Sequence, residues 1–129
     1  MHSNNTQLKN LINTIKELRG PRGCPWDKKQ TVDSLTKYLN EEVAELLAAI
    51  KNNDATNICE ESGDILYILI MISEIHAEKN EFSFSEVINE IDCKLIRRHP
   101  HVFQGKKVSS EEQLRLQWES IKLQEKQKK

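Results

Sequence analysis

Leu8, Leu11, Ile12, Ile15 and Leu18 recur at three- and four-residue intervals, the spacing of one apolar helix face, and predict a helix over 6–19. Leu35, Leu39, Val43, Leu46, Leu47 and Ile50 repeat the pattern over 31–52, where Asn52-Asn53-Asp54 supplies turn-forming residues. A third helix is predicted over 55–79. Its middle, 65–72, is apolar all round, so it should be buried on most sides or lie in an interface between subunits. Ser83 followed by Glu86 is a capping-box signature opening a fourth helix that runs to about 98, and Pro100 prevents its continuation. Ser109 with Glu112 repeats the signature for a fifth, which holds Leu114, Leu116, Trp118, Ile121 and Leu123. Residues 125–129 are expected to fray. Between the first two helices, Gly20-Pro21-Arg22-Gly23-Cys24-Pro25 forces a loop.

Composition narrows the class. With only 4 Gly and 3 Pro in 129 residues, little material is left for the tight turns of a β protein, and an all-α fold is favoured. The length suits one domain spanning 1–129, with a core over 8–124 and a basic tail. Hydrophobic residues at 37% and charged residues at 30% fit a soluble domain. No apolar run approaches the ~20 residues that cross a bilayer, and Met1-His2-Ser3-Asn4-Asn5 shows no secretory signal. Cys24, Cys59 and Cys93 are an odd number without a C-x-x-C pair, which points to a reducing, cytoplasmic compartment. Cys93 with His99 and His101 is too loosely spaced for a structural zinc site. The net charge of −1 argues against a nucleic-acid or membrane partner.

Charge is distributed in a way that changes this bland picture. Glu41-Glu42-x-x-Glu45 lies in the second predicted helix and Glu60-Glu61-x-x-Asp64 in the third. At ~100° per residue, Glu42 falls within the Leu35/Leu39/Leu46 stripe and Glu45 on its edge, beside Tyr38. Glu61 and Asp64 share the sector of Ile68, Ile72 and Ile75, whereas Glu41 and Glu60 fall on the outer flank. Carboxylates in apolar stripes are costly unless paired or metal-bound. If both stripes face one core, four carboxylates converge into a hard oxygen site suited to Mg²⁺ or Mn²⁺. A buried salt-bridge network with Lys or Arg is the competing reading of the pattern.

Cations cluster further on. Lys94, Arg97, Arg98, His99 and His101 close the fourth helix, with Lys106 and Lys107 beyond. Such residues complement a helix C-terminus in any case. Lys94 and Arg98, four apart, share a face on which they can neutralise a polyphosphate. Trp26 and Trp118 are the only tryptophans; each can stack on a nucleobase or fill a core, and core packing is the commoner role for Trp118 beside Leu114 and Ile121. There is no P-loop, G-x-G-x-x-G or H-E-x-x-H motif.

Five segments occur in order: 20–27 (GPRGCPWD), 41–45 (EEVAE), 60–64 (EESGD), 94–103 (KLIRRHPHVF) and 118–122 (WESIK). Together they resemble the MazG family of nucleoside triphosphate pyrophosphohydrolases, and the likeness covers about 8–126. The resemblance implies Mg²⁺-dependent hydrolysis of NTP or dNTP to the monophosphate and diphosphate, in a MazG-like bundle of about five helices completed by homodimerisation or a higher homo-oligomer. Nucleotide-pool house-cleaning is the implied role. Carried over by position, Glu42, Glu45, Glu61 and Asp64 would hold the metal, with Mn²⁺ a substitute for Mg²⁺. Glu41 would orient the attacking water or act as its base. Lys94 and Arg98, with Arg97 beside them, would bind the phosphate chain, and Trp118 and Lys122 would lie near the nucleotide. Trp26, in its Gly/Pro-rich loop, is a further candidate for substrate binding from the residue reading alone.

The chain also departs from the family pattern. It carries one copy of a motif set that long members carry twice, Val32 and Ile72 stand where histidines are frequent, and Gln104-Gly105-Lys106 replaces a common Gly-Asp. These positions leave base preference open. Two other classes remain: a helical module that binds a nucleotide or protein without turnover, and a sister pyrophosphatase acting on phosphoribosyl-ATP or on dUTP and dCTP.

Overall fold

The computed structural model describes residues 4–128 and consists, over those residues, of seven α-helices without a strand. They are α1 (Asn4–Arg19), α2 (Pro25–Lys29), α3 (Val32–Lys51), α4 (Ala55–Glu78), α5 (Phe84–Arg98), α6 (Pro100–Phe103) and α7 (Glu111–Gln127). Residues 1–3, on which the reading of the N-terminus largely rests, and Lys129 lie outside the described residues. No helix among the described residues is long and apolar enough to cross a membrane. The two helices beyond the five expected, α2 and α6, each begin with a proline. Pro25 and Pro100 break the preceding segment, but their fixed φ and missing N–H suit a first helical residue.

The chain divides into two compact units, Met1–Phe84 and Ser85–Lys129. In the first, α3 and α4 pack extensively on each other, and α1 packs on α2 and α4. Thr31 caps α3 in a reciprocal capping box with Ser34, and Asp54 caps α4 by accepting from the Asn57 N–H. Asn53 takes the left-handed conformation (φ 54°) that lets the chain reverse between them. Ile15, Leu35, Ile68, Ile70, Met71, Ile75 and Phe84 form the core. The all-apolar middle of α4 is largely enclosed, as expected, with Leu69 turned outward.

The loop after α1 is held by backbone contacts. The Cys24 N–H donates to the Leu18 carbonyl (2.9 Å), and a side chain at Gly23 would collide with that same oxygen. Arg19, its side chain almost enclosed, donates through Nη1 to the carbonyls of Asp27 (2.6 Å) and Gln30 (3.2 Å), and through Nε and Nη2 to the Glu78 carboxylate. The Tyr67 hydroxyl donates to Oδ1 of buried Asp27. These bonds tie α2 to the C-terminal half of α4.

The second unit has almost no interior. Val87, Ile88, Ile91 and Leu95 of α5 are all exposed, as are Leu116 and Leu123 of α7. Ser110, one residue later than expected, caps α7 by accepting from the Gln113 N–H, while the Ser109 N–H and Oγ donate to the Gln113 side chain. The fraying expected from 125 onward is not found through Gln127. Within that stretch Glu125 is held in ion pairs with Arg97 and Arg98.

Candidate active site

Glu42 and Glu45 sit one helical turn apart on α3, and Glu61 and Asp64 do the same on α4. Because the two helices pack on each other, one carboxylate oxygen from each of the four residues lies within 4.8 Å of the other three. Glu61 is buried, Glu42 and Asp64 are half-buried, and Glu45 is exposed. Glu41 and Glu60 face outward, as their helical positions predict.

Among the described residues, no Lys or Arg forms an ion pair with this group. Glu42 Oε2 and Glu61 Oε2 are buried without a hydrogen-bond partner. Burial and then the neighbouring charge of Glu45 and Asp64 raise the Glu42 carboxyl above its usual range. The same causes, with burial first and Glu45 next, push Glu61 up to about 7. The salt-bridge reading of the pattern needs a Lys or Arg here, and the ion pairs seen among the described residues lie elsewhere. An all-oxygen set with orphaned, buried acceptors fits a hard divalent cation such as Mg²⁺.

Trp26 is half-buried against the core and meets Tyr38 edge to face, with ring centroids 5.1 Å apart. Together with Tyr38 it lines a cavity of about 480 Å³ that Lys29, Gln30 and Lys37 also border. It therefore packs on the core while remaining partly accessible from this cavity.

In the second unit, Lys94, Arg97, Arg98, Lys122 and Lys126 line a cavity of about 250 Å³, together with Glu90 and Glu125. Lys94 and Arg98 share a face of α5, as their spacing requires. Trp118 is 45% exposed, so the core role expected for it from Leu114 and Ile121 is not the one it takes. It lines an adjacent, mainly apolar cavity of about 410 Å³ with His99, Leu114 and Arg98. The Lys122 ammonium lies 5.0 Å from the centre of its ring.

Glu125 escaped the sequence reading. Arg97 Nε donates to its Oε2 (2.5 Å), and Arg98 Nη2 (2.8 Å) and Nε (3.3 Å) donate to its Oε1. These bonds hold the Glu125 carboxyl down at about 2. Trp118, Lys122 and Glu125 stand at i, i+4 and i+7 on one face of α7, but that spacing does not disclose the arginines of α5 that Glu125 meets.

The model of the MazG nucleotide pyrophosphohydrolase domain matches residues 30–103, a span that contains all four clustered carboxylates, Lys94 and Arg98. The chain belongs to the MazG family. The nucleoside triphosphate pyrophosphohydrolase/pyrophosphatase MazG of Thermotoga maritima is 44% identical over 119 residues, covering 92% of this chain and 45% of that protein. The nucleoside triphosphate pyrophosphohydrolase of Escherichia coli is 36% identical over 124 residues, covering 95% and 47%. YabN of Bacillus subtilis, an uncharacterized protein, is 47% identical over 112 residues, covering 87% and 23%. The chain thus spans less than half the length of these three curated relatives. The crystal structure of a mazG-related protein from Thermotoga maritima superposes with a TM-score of 0.72 at 30% identity, covering 88% of this chain and 97% of that one. Trp118 and Lys122 lie beyond the matched MazG span.

Proposed function

We propose that this chain is a Mg²⁺-dependent nucleoside triphosphate pyrophosphohydrolase that releases the nucleoside monophosphate and diphosphate, with a house-cleaning role in the nucleotide pool. The observation that carries the reading is the convergence of Glu42, Glu45, Glu61 and Asp64 within 4.8 Å, with two buried oxygens lacking any partner. Membership of the MazG family supports it, as do the Thermotoga maritima and Escherichia coli relatives named as nucleoside triphosphate pyrophosphohydrolases.

The roles follow from the charge of the substrate. A triphosphate repels a nucleophile approaching phosphorus, and Mg²⁺, when bound, supplies the positive charge that offsets this. The four carboxylates hold the cation, and Mn²⁺ meets the same donor set. Glu41, exposed beside Glu42, is assigned to orient the attacking water or take its proton. Lys94, Arg97 and Arg98 bind phosphate oxygens and favour departure of the diphosphate. Trp26, Trp118 and Lys122 are assigned to the rest of the nucleotide. The water attacks the α-phosphorus.

The homo-oligomer belongs to the same proposal. Val43, Leu47 and Ile50 form an exposed apolar face on α3, and the second unit buries too little to stand alone. A second copy of the chain is the partner that would cover both. The cytoplasm, where Mg²⁺ and nucleotides are plentiful and thiols stay reduced, is the proposed compartment.

Diphosphate release from a panel of NTPs and dNTPs tests the activity. Glu61→Gln and Asp64→Asn should each lower it by about a hundredfold or more, with Mg²⁺ binding weakened in parallel. Undiminished turnover in either variant defeats the metal assignment. In oxygen-18 water the label should enter the monophosphate; label confined to diphosphate defeats attack at the α-phosphorus. Binding of nucleotides with no release from any of them would make the chain a binding module instead, and turnover confined to phosphoribosyl-ATP or dUTP and dCTP would make it a sister pyrophosphatase.

A further inference from the structure

The cationic pocket of the second unit already holds an anion supplied by the chain itself. Glu125 spends both carboxylate oxygens on Arg97 and Arg98, and it does so along their Nε edges. The Nε/Nη2 edge of Arg98, on which one oxygen sits, is also the edge that grips a phosphate through parallel N–H bonds. The Arg98 and Glu125 side chains are only 17% and 19% exposed, so this contact is largely shielded from water and a phosphate taking the Nε/Nη2 edge must take the place of the carboxylate. Lys94, on the same face of α5, also lines the pocket and offers an incoming phosphate a first contact.

We propose that Glu125 is an internal competitor for polyphosphate: its carboxylate occupies the Arg97–Arg98 site in the ligand-free chain, and phosphate oxygens bind there by displacing it. The inference rests on the functional reading only in taking a polyphosphate as the incoming anion.

The exchange has a chemical consequence. One carboxylate carries a single charge, whereas a triphosphate brings several charges and more acceptor oxygens, so it gains more from the pocket than it loses in evicting Glu125. A monophosphate brings a charge of about −1.5 to −2 and fewer oxygens, and gains less. Glu125 therefore sets a threshold that a triphosphate passes more readily than the monophosphate left after hydrolysis. Because the arginine pair keeps its carboxyl far below the usual range, the competitor is charged throughout the neutral range. An ion pair with a purely structural duty makes the opposite prediction, since its loss would loosen Arg98 and weaken anion binding.

The test is calorimetric titration of the full chain with inorganic tripolyphosphate, without divalent cations, in the wild type and in Glu125→Gln. The variant should bind about tenfold more tightly, the scale of one forfeited charge-assisted hydrogen bond. Equal or weaker binding overturns the proposal. If Glu125→Gln does not fold, the carboxyl carbon resonance of Glu125 in the wild type decides. It should shift and saturate together with the heat of tripolyphosphate binding; heat without that shift, or no binding, overturns the proposal. Tighter binding by Glu125→Gln in a chain that hydrolyses no nucleotide upholds the competitor and defeats only the functional reading. Nucleotide hydrolysis with an affinity indifferent to Glu125→Gln does the reverse.

Discussion

Glu61 keeps its proton to about pH 7 in the folded chain, against an ordinary 4.5 for a free glutamate, and this sets a sign for stability. Between those values the folded state holds a proton that the unfolded chain has released, so stability falls as pH rises through the window. Glu125, depressed to about 2, acts oppositely: its contribution is present above 4.5 and is lost as pH falls towards 2. With a chelator present, the melting temperature should therefore decline from pH 5 to pH 8, and Mg²⁺ should raise it more at pH 8 than at pH 5. A Mg²⁺ effect equal at both values would contradict the carboxylate cluster as its binding site. The four carboxylates were legible in the sequence because helical periodicity turns a three-residue spacing into a shared direction, and their place inside apolar stripes made the default solvated role expensive. Glu125 was not legible. Its meaning depends on where α5 lies beside α7, which no spacing within α7 discloses. For Trp118 the spacing alone favoured the core and the family resemblance the nucleotide; an aromatic flanked by Leu114 and Ile121 is a core residue only if another helix covers that face, and Trp118 is exposed.

At the scale of elements, all five long helices were readable, with ends within a few residues of those found, because apolar patterns, caps and turn residues agreed. The short helices α2 and α6 were missed since proline was weighed as a breaker and not as a starter. What α2 does was equally hidden, as it arises from contacts distant in sequence: Arg19 grips the backbone of Asp27 and Gln30, and Tyr67 donates to Asp27 across 40 positions. Burial and that hydrogen bond push the Tyr67 hydroxyl well above the usual phenol range, so it acts as a donor throughout the physiological range. Removing it in Tyr67→Phe leaves a buried carboxylate oxygen without its partner and should cost about 1–3 kcal/mol. Urea unfolding measures this. A change below a few tenths would mean that α2 is held by Arg19 alone.

The whole molecule consists of a first unit with a true core and a second whose apolar residues are mostly in contact with solvent. A 129-residue chain that leaves Leu47, Ile50, Ile91 and Leu95 exposed is short of partners, and light scattering at micromolar concentration should give at least twice the 15.0 kDa chain mass. Leu47→Glu, harmless on a free surface, should lower that mass; a monomeric wild type would overturn the oligomer. The α3–α4 hairpin carries a further consequence. It is packed by Ile68, Ile70, Met71 and Ile75 along one stretch and filled with like charge along another. Without a divalent cation its amides should therefore exchange with deuterium unevenly, faster around 42–45 and 61–64 than around 68–75, and Mg²⁺ should level the difference. The hairpin would then breathe from its charged stretch, its backbone protection reporting the free metal concentration around it.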